Sequence, residues 1–184
     1  MTAPVTTLGS GKFLALRRIG RWEYVDRINC RGAVALVAIT PNHELILVEQ
    51  YRAALNGRVL ELPAGLVGDA DNPAEAPETA ARRELREETG YEAATFTPLL
   101  SGPTSAGLTS ERVDFFLASG LHKISNGGGD AHEQITVHTV PLADIDSWLT
   151  THRKAGMAID VKVYAGLHFA KMAVPSRSPC LPRA

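Results

Sequence analysis

The sequence predicts an α/β fold with a mixed sheet, and three observations carry that prediction. Residues 32–40 (GAVALVAIT) are nearly all apolar, as in a central strand buried on both faces. Residues 75–91 (EAPETAARRELREETGY) hold Pro77 near their start and Gly90 near their end. Proline suits the first helical position and glycine the left-handed residue just past the last turn, so these bracket a helix. After the final alternating run, residues 141–144 and Asp160 each introduce an amphipathic stretch, so helices follow strands.

Taken in order, residues 1–11 are small, polar and Gly-rich and are expected to be flexible. Within residues 12–30, the stretches 13–18 and 22–29 alternate apolar with polar and read as two strands turning at Gly20-Arg21. Such a hairpin is marginal alone and needs a partner surface. Residues 44–51 (ELILVEQY) are expected to pair back on residues 32–40 across Pro41-Asn42-His43, leaving Arg52 at the strand end. Residues 59–62 form a short strand, and Pro63-Ala64-Gly65 leads towards the helix. Strands are expected at 93–100 and 112–118, separated by a loop of turn residues at 101–110. Residues 120–132 form a long polar loop containing Asn126-Gly127-Gly128-Gly129. Three consecutive glycines imply mobility, and long loops of this kind often act as lids. Residues 134–140 are the last strand. One helix then carries Ile145, Trp148 and Leu149, and a second, started by Asp160, carries Val163, Leu167 and Ala170. Residues 174–184, with three prolines, read as a flexible tail.

The 184 residues suit a single domain with a real core. A net charge of -1 offers no reason to expect nucleic acid or a membrane as partner. No apolar run is long enough to span a bilayer, and the first residues lack the basic start and apolar core of a signal peptide. Cys30 and Cys180 lie far apart with no CxxC, so they read as free thiols in a reducing cytoplasm.

The chemistry concentrates in the helix. Glu84, Glu87 and Glu88 stand at i, i+3 and i+4 and are expected to project from one face, where like charges repel. Helix stability does not ask for that cluster. A divalent cation would turn repulsion into binding, and carboxylates suit Mg²⁺ or Mn²⁺. Arg82, Arg83 and Arg86 sit among the acids, so the face is not simply a solvated acidic stripe.

Here the stretch resembles the Nudix hydrolase signature at Glu75, Arg83, Glu84, Leu85, Glu87, Glu88, Gly90 and Tyr91. The family's opening glycine stands nearer the first glutamate than Gly65 does to Glu75, so residues 68–74 read as a loop with a small insertion. Residues 60–65 (LELPAG), 48–52 (VEQYR) and 103–112 (PTSAGLTSER) are similar to the ADP-ribose pyrophosphatase branch, with Ala106 where that branch usually has proline. The resemblance implies an α/β/α sandwich and a Mg²⁺-dependent (or Mn²⁺-dependent) hydrolase. It implies metal ligands at Glu84, Glu87, Glu88 and the Ala64 carbonyl, with Arg83 orienting the glutamates. It also implies a homodimer in which the N-terminal strands reach a second subunit. Trp22 and Tyr24 become candidates to stack on a nucleobase, Arg52 to clamp an anion, and Glu111 to bind a ribose hydroxyl or support the metal shell. From the loop before the last strand, Glu133 matches the nearer of two acids that serve as metal ligand and base. The farther position is Ala131, flanked by Asp130 and His132. The base is then Glu133, His132, Asp130 or a helix glutamate. The expected substrate is a nucleoside diphosphate linked to a sugar, ADP-ribose first, with GDP-mannose or FAD as alternatives. A non-catalytic ADP-ribose sensor is the reading from another class.

Overall fold

The computed structural model describes residues 3–68, 72–129 and 134–174. It opens with a three-stranded antiparallel sheet, β1 (Val5–Ser10), β2 (Leu14–Ile19) and β3 (Trp22–Arg27). β2 and β3 turn at Gly20-Arg21, with Ile19 opposite Trp22. β1 is a correction: residues expected to be flexible form a strand along β2, with Arg17 hydrogen-bonded to Thr7. Every residue of β1 is exposed, so the burial that reveals a strand in sequence is missing there.

The apolar run becomes β4 (Gly32–Ala38), followed by β5 (Glu44–Arg52), β6 (Gly57–Glu61) and β7 (Ala64–Val67). The helix is α1 (Pro77–Glu84), continued by a wider π turn at Leu85–Thr89. Then come β8 (Tyr91–Glu92), β9 (Thr95–Pro103), β10 (Arg112–Ser119), β11 (His122–Lys123) and β12 (Thr136–Pro141). The chain closes with α2 (Ile145–Lys154), β13 (Ala158–Ile159) and α3 (Val161–Ala173). As expected, the Asp160 side chain caps α3, accepting from the Lys162 N–H at 2.7 Å.

The expected β4–β5 hairpin does not form. β4 lies in one four-stranded sheet, ordered β7-β4-β10-β9, and β5 in another, ordered β12-β5-β6-β13. The two strands meet at their turn alone, through a bridge at Ile39 and Leu45 and the Thr40 N–H donating to the Glu44 carbonyl at 2.9 Å. Both sheets are mixed, β4 running parallel to β10 and β6 parallel to β13. A strand buried on both faces carries no signal for its partner, so sequence adjacency misled here.

The two sheets together make the middle layer. Val34, Leu36, Ala38 and Ile46 pack with Ala80, Ala81 and Leu85 of the helix on one side. Ala35, Val37, Ile39, Leu45 and Leu47 pack with Ile145, Leu149, Val163, Leu167 and Ala170 on the other. Alternate side chains of one strand thus feed two cores, as period-two geometry requires. The result is helix, sheet, helix, the layering expected from the resemblance.

Candidate active site

β7 and the helix carrying the glutamates meet edge to face, and the meeting is built of charge. Glu75 is 6 % exposed, and its carboxylate takes hydrogen bonds from Arg83 Nε (3.1 Å), Arg83 Nη2 (3.2 Å) and the Gly68 N–H (3.2 Å). The bonds from Arg83 hold its carboxyl below the usual carboxylate range against the opposing effect of burial, and the Gly68 N–H assists. Arg83 Nη2 also donates to the Leu66 carbonyl of β7 at 3.1 Å. Its Nη1 donates to Glu84 Oε1 (2.7 Å) and Glu87 Oε2 (3.2 Å). The hydrogen bonds to Glu75 raise the guanidinium above its already high value despite burial, and the charge of Glu84 adds to this. Arg83 is therefore a fixed cation tying three carboxylates to β7.

Gly65 explains how Glu84 fits. A Cβ built on Gly65 would overlap the Glu84 carboxyl group itself. The side chain lies against bare backbone, where only glycine leaves room. Next to it, Glu88 Oε2 accepts from the Ala64 N–H at 2.9 Å. Glu88 is 3 % exposed, whereas the Glu87 side chain is 52 % exposed. The three glutamates are therefore unequally exposed, Glu87 towards solvent and Glu88 inward. Glu87 and Glu88 lie in the π turn, whose i to i+5 closure departs from the regular α-helix that the spacing suggests. Thr89 completes it, its hydroxyl donating to the Leu85 carbonyl. Gly90 ends it in the left-handed conformation, at φ 73°.

Chemically, the cluster offers hard oxygen donors against the half-buried backbone of the edge strand β7. Two carboxylates, from Glu84 and Glu87, converge on one positive nitrogen of Arg83, so their oxygens already share a region where positive charge is favoured. Among the described residues, no three acidic, histidine or cysteine side chains stand grouped so that they could hold a metal ion as they are, so ion binding would require the glutamates to turn away from Arg83 and Ala64. Oxygen donors of this kind suit Mg²⁺ or Mn²⁺, ions that keep part of their water shell.

The structure thus brings together Ala64, Arg83, Glu84, Glu87 and Glu88. It places other candidates in different pairings. Arg52, expected at a substrate anion, makes a two-pronged contact with Glu61, Nε to Oε1 and Nη2 to Oε2, both 2.6 Å. Glu61 is 4 % exposed, so Arg52 neutralises a buried carboxylate. Glu111 accepts from Arg27 Nε at 2.6 Å and from Thr104 Oγ1 at 3.2 Å, joining its loop to β3. Trp22 is exposed on β3 under the Arg21 guanidinium, 4.9 Å from the ring centre, and Tyr24 is half-buried. Glu133, His132 and Asp130 lie outside the described residues, as does most of the 174–184 tail. Sequence reasoning missed the part played by Glu61. Its signal was present: an acid inside the apolar run Val59-Leu60-Glu61-Leu62 needs a buried partner.

Known proteins give an independent comparison. Residues 30–160 match the model of the NUDIX domain. An ADP-ribose pyrophosphatase from Mycobacterium tuberculosis (strain ATCC 25618 / H37Rv) is 37% identical over 150 residues, covering 75% of this chain and 69% of that protein. A GDP-mannose pyrophosphatase from Yersinia enterocolitica is 32% identical over 155 residues, covering 79% and 78%. A crystal structure described as an ADP compounds hydrolase superposes with a TM-score of 0.66 at 24% identity, covering 82% of each chain, which speaks to the fold.

Proposed function

The chain belongs to the NUDIX domain family, and from that premise we propose that it hydrolyses the diphosphate bond of a nucleoside diphosphate linked to a sugar. ADP-ribose is the leading substrate. Water adds to one phosphorus, the bridging P–O bond breaks, and the products are AMP and ribose 5-phosphate. The observation that carries this reading is the Arg83-centred cluster, with Glu84 seated on Gly65 and Glu88 bonded to the Ala64 N–H. The ADP-ribose pyrophosphatase relative supports the substrate. The GDP-mannose pyrophosphatase relative supports the alternative nucleotide sugar.

The donor set fits Mg²⁺ or Mn²⁺ at Glu84, Glu87, Glu88 and the Ala64 carbonyl, and Glu133 is a further candidate ligand or base. A divalent ion held there neutralises the diphosphate oxygens and makes water a better nucleophile. The chain's own residues do the rest. Arg83 sets the directions of Glu84 and Glu87, and the Ala64 N–H sets that of Glu88. Glu87, the most exposed of the three, is placed to orient water. Trp22 and Tyr24 supply flat faces for the base, and Glu111 supports the ribose side. The protein is cytoplasmic and works as a homodimer. Exposed Val5, Leu8, Phe13, Leu14 and Leu16 on the N-terminal sheet support pairing with a second copy. No helix among the described residues is long and apolar enough to cross a membrane.

A substrate panel tests the proposal. ADP-ribose, GDP-mannose, UDP-glucose, FAD and a diadenosine polyphosphate are incubated with wild type, Glu87→Gln and Glu88→Gln in Mg²⁺, and released product is measured. Cleavage of ADP-ribose above the others, lost in Glu88→Gln, is expected. Tight ADP-ribose binding with no turnover by wild type would instead favour the sensor.

A further inference from the structure

The glycine triplet in the loop before β12 is seated on the very turn that carries Glu87 and Glu88. The Gly128 N–H donates to the Glu88 carbonyl at 2.8 Å, and the Gly129 N–H to the Glu87 carbonyl at 3.1 Å. Four residues earlier, the Ile124 and Ser125 N–H groups both donate to the Gly90 carbonyl, at 2.8 and 3.1 Å. The last carbonyls of a helix have no partner within it and need one from outside. Here a loop from a distant part of the chain supplies that partner.

The fit leaves no room for a side chain at Gly127 or Gly90. Gly127, Gly128 and Gly129 have φ values of 64°, 114° and 80°, which other residues rarely adopt. A Cβ on Gly127 would overlap the backbone of Glu88, Thr89 and Gly90, and one on Gly90 would overlap that of Ser125 and Gly127. Two glycines thus meet backbone to backbone. Close approach accounts for Gly127, and positive φ for Gly128 and Gly129, which differs from the mobility that three glycines suggested.

We propose that Gly127, Gly128 and Gly129 are positioning residues for the metal-holding carboxylates: the loop's N–H groups hold the carbonyls of Glu87 and Glu88 and thereby set the direction of their side chains. The inference rests on the proposed function, since it assigns those carboxylates to a metal. Groups that orient metal ligands without touching the ion commonly change metal affinity when altered. By linkage, metal that depends on this seating must in turn strengthen it.

Wild-type protein labelled with ¹⁵N gives the first test, because no variant has to fold. Amide exchange is followed at Gly128 and Gly129 with and without saturating Mg²⁺, and at Gly156, whose N–H donates to the Arg153 carbonyl far along the chain, as control. Metal slows exchange at Gly128 and Gly129 and leaves Gly156 unchanged. Unchanged exchange at the two glycines in a metal-saturated protein overturns the inference. The second test titrates Mn²⁺ by calorimetry into Gly127→Ala and Gly156→Ala. Both replacements sit at positive φ, but the added Cβ of residue 156 meets nothing. Gly127→Ala weakens Mn²⁺ binding ~10-fold while Gly156→Ala binds as wild type; equal affinities in both folded variants overturn the inference. If Glu88→Gln abolishes turnover and yet these tests are negative, the positioning role falls and the proposed function stands. If wild type binds neither ion, both fall together.

Discussion

Helix α3 and the helix that begins with α1 cover opposite faces of the same middle layer, but they close it by different means. α3 lays Val163, Leu167 and Ala170 into a wholly apolar core. Its Gly166 lets Leu62 come close, since a Cβ there would stand 2.7 Å from Leu62 Cδ1. The other helix contributes Ala80, Ala81 and Leu85 and then buries Glu88, while its Arg83 holds the buried Glu75. Its neighbouring glycine, Gly65, makes room for a carboxylate instead of a methyl group. Burying charge costs free energy unless it is paired and hydrogen-bonded. A face that accepts this cost beside one that avoids it is a face kept for chemistry. Gly65 and Gly166 show the contrast at single-residue scale, one serving a reactive group and the other serving packing.

Gly65→Ala should break the chemical side most. The new Cβ displaces the Glu84 carboxylate, and misplacing a catalytic group by about 1 Å costs on the order of 100-fold in rate. Steady-state turnover of ADP-ribose would show the loss while thermal unfolding changes little; unchanged turnover would remove Glu84 from the mechanism. Arg83→Lys keeps the charge but loses the fork that spans Glu75, Glu84 and Glu87. Metal affinity should fall ~10-fold, measured as the Mg²⁺ concentration for half-maximal rate.

Glu75→Gln sharpens the comparison through stability. Losing charge-assisted hydrogen bonds from Arg83 should cost about 2 kcal/mol near neutral pH, measured by urea unfolding. The sign with pH follows from the direction of the shift. The Glu75 carboxyl lies below its ordinary value in the folded protein. Its contribution is therefore complete above the unfolded value of about 4.3 and is lost as pH falls through the folded value. The difference between wild type and Glu75→Gln should accordingly shrink in acid. A difference that grows in acid would mean that the pair does not act as described. The smallest effect belongs to the apolar side. Gly166→Ala crowds Leu62 but gains helix propensity, leaving a net loss of about 1 kcal/mol with turnover unchanged.

Much of this contrast could be read from residue order. Pro77 and Gly90 bracketed the helix, and the nearly all-apolar run of β4 marked a strand buried on both faces. What could not be read depended on contacts between distant segments. The π turn rests on Thr89 reaching the Leu85 carbonyl and on the loop at Gly127–Gly129 taking the carbonyls beyond it. The inequality of Glu87 and Glu88 goes with the Ala64 N–H, which holds Glu88 inward. β7 was hidden because its four residues, Ala64-Gly65-Leu66-Val67, follow Pro63 and look like a loop. The pairing of Arg52 with Glu61 needed β5 and β6 side by side.

Manganese binding by wild type and by a Glu84→Gln/Glu88→Gln double variant, followed by electron paramagnetic resonance, shows whether these carboxylates hold the ion. Wild type should take up the ion, and the double variant, still folded by circular dichroism, should bind it at least ~100-fold more weakly. Equal uptake by both proteins would place the metal elsewhere and leave these glutamates without a metal role.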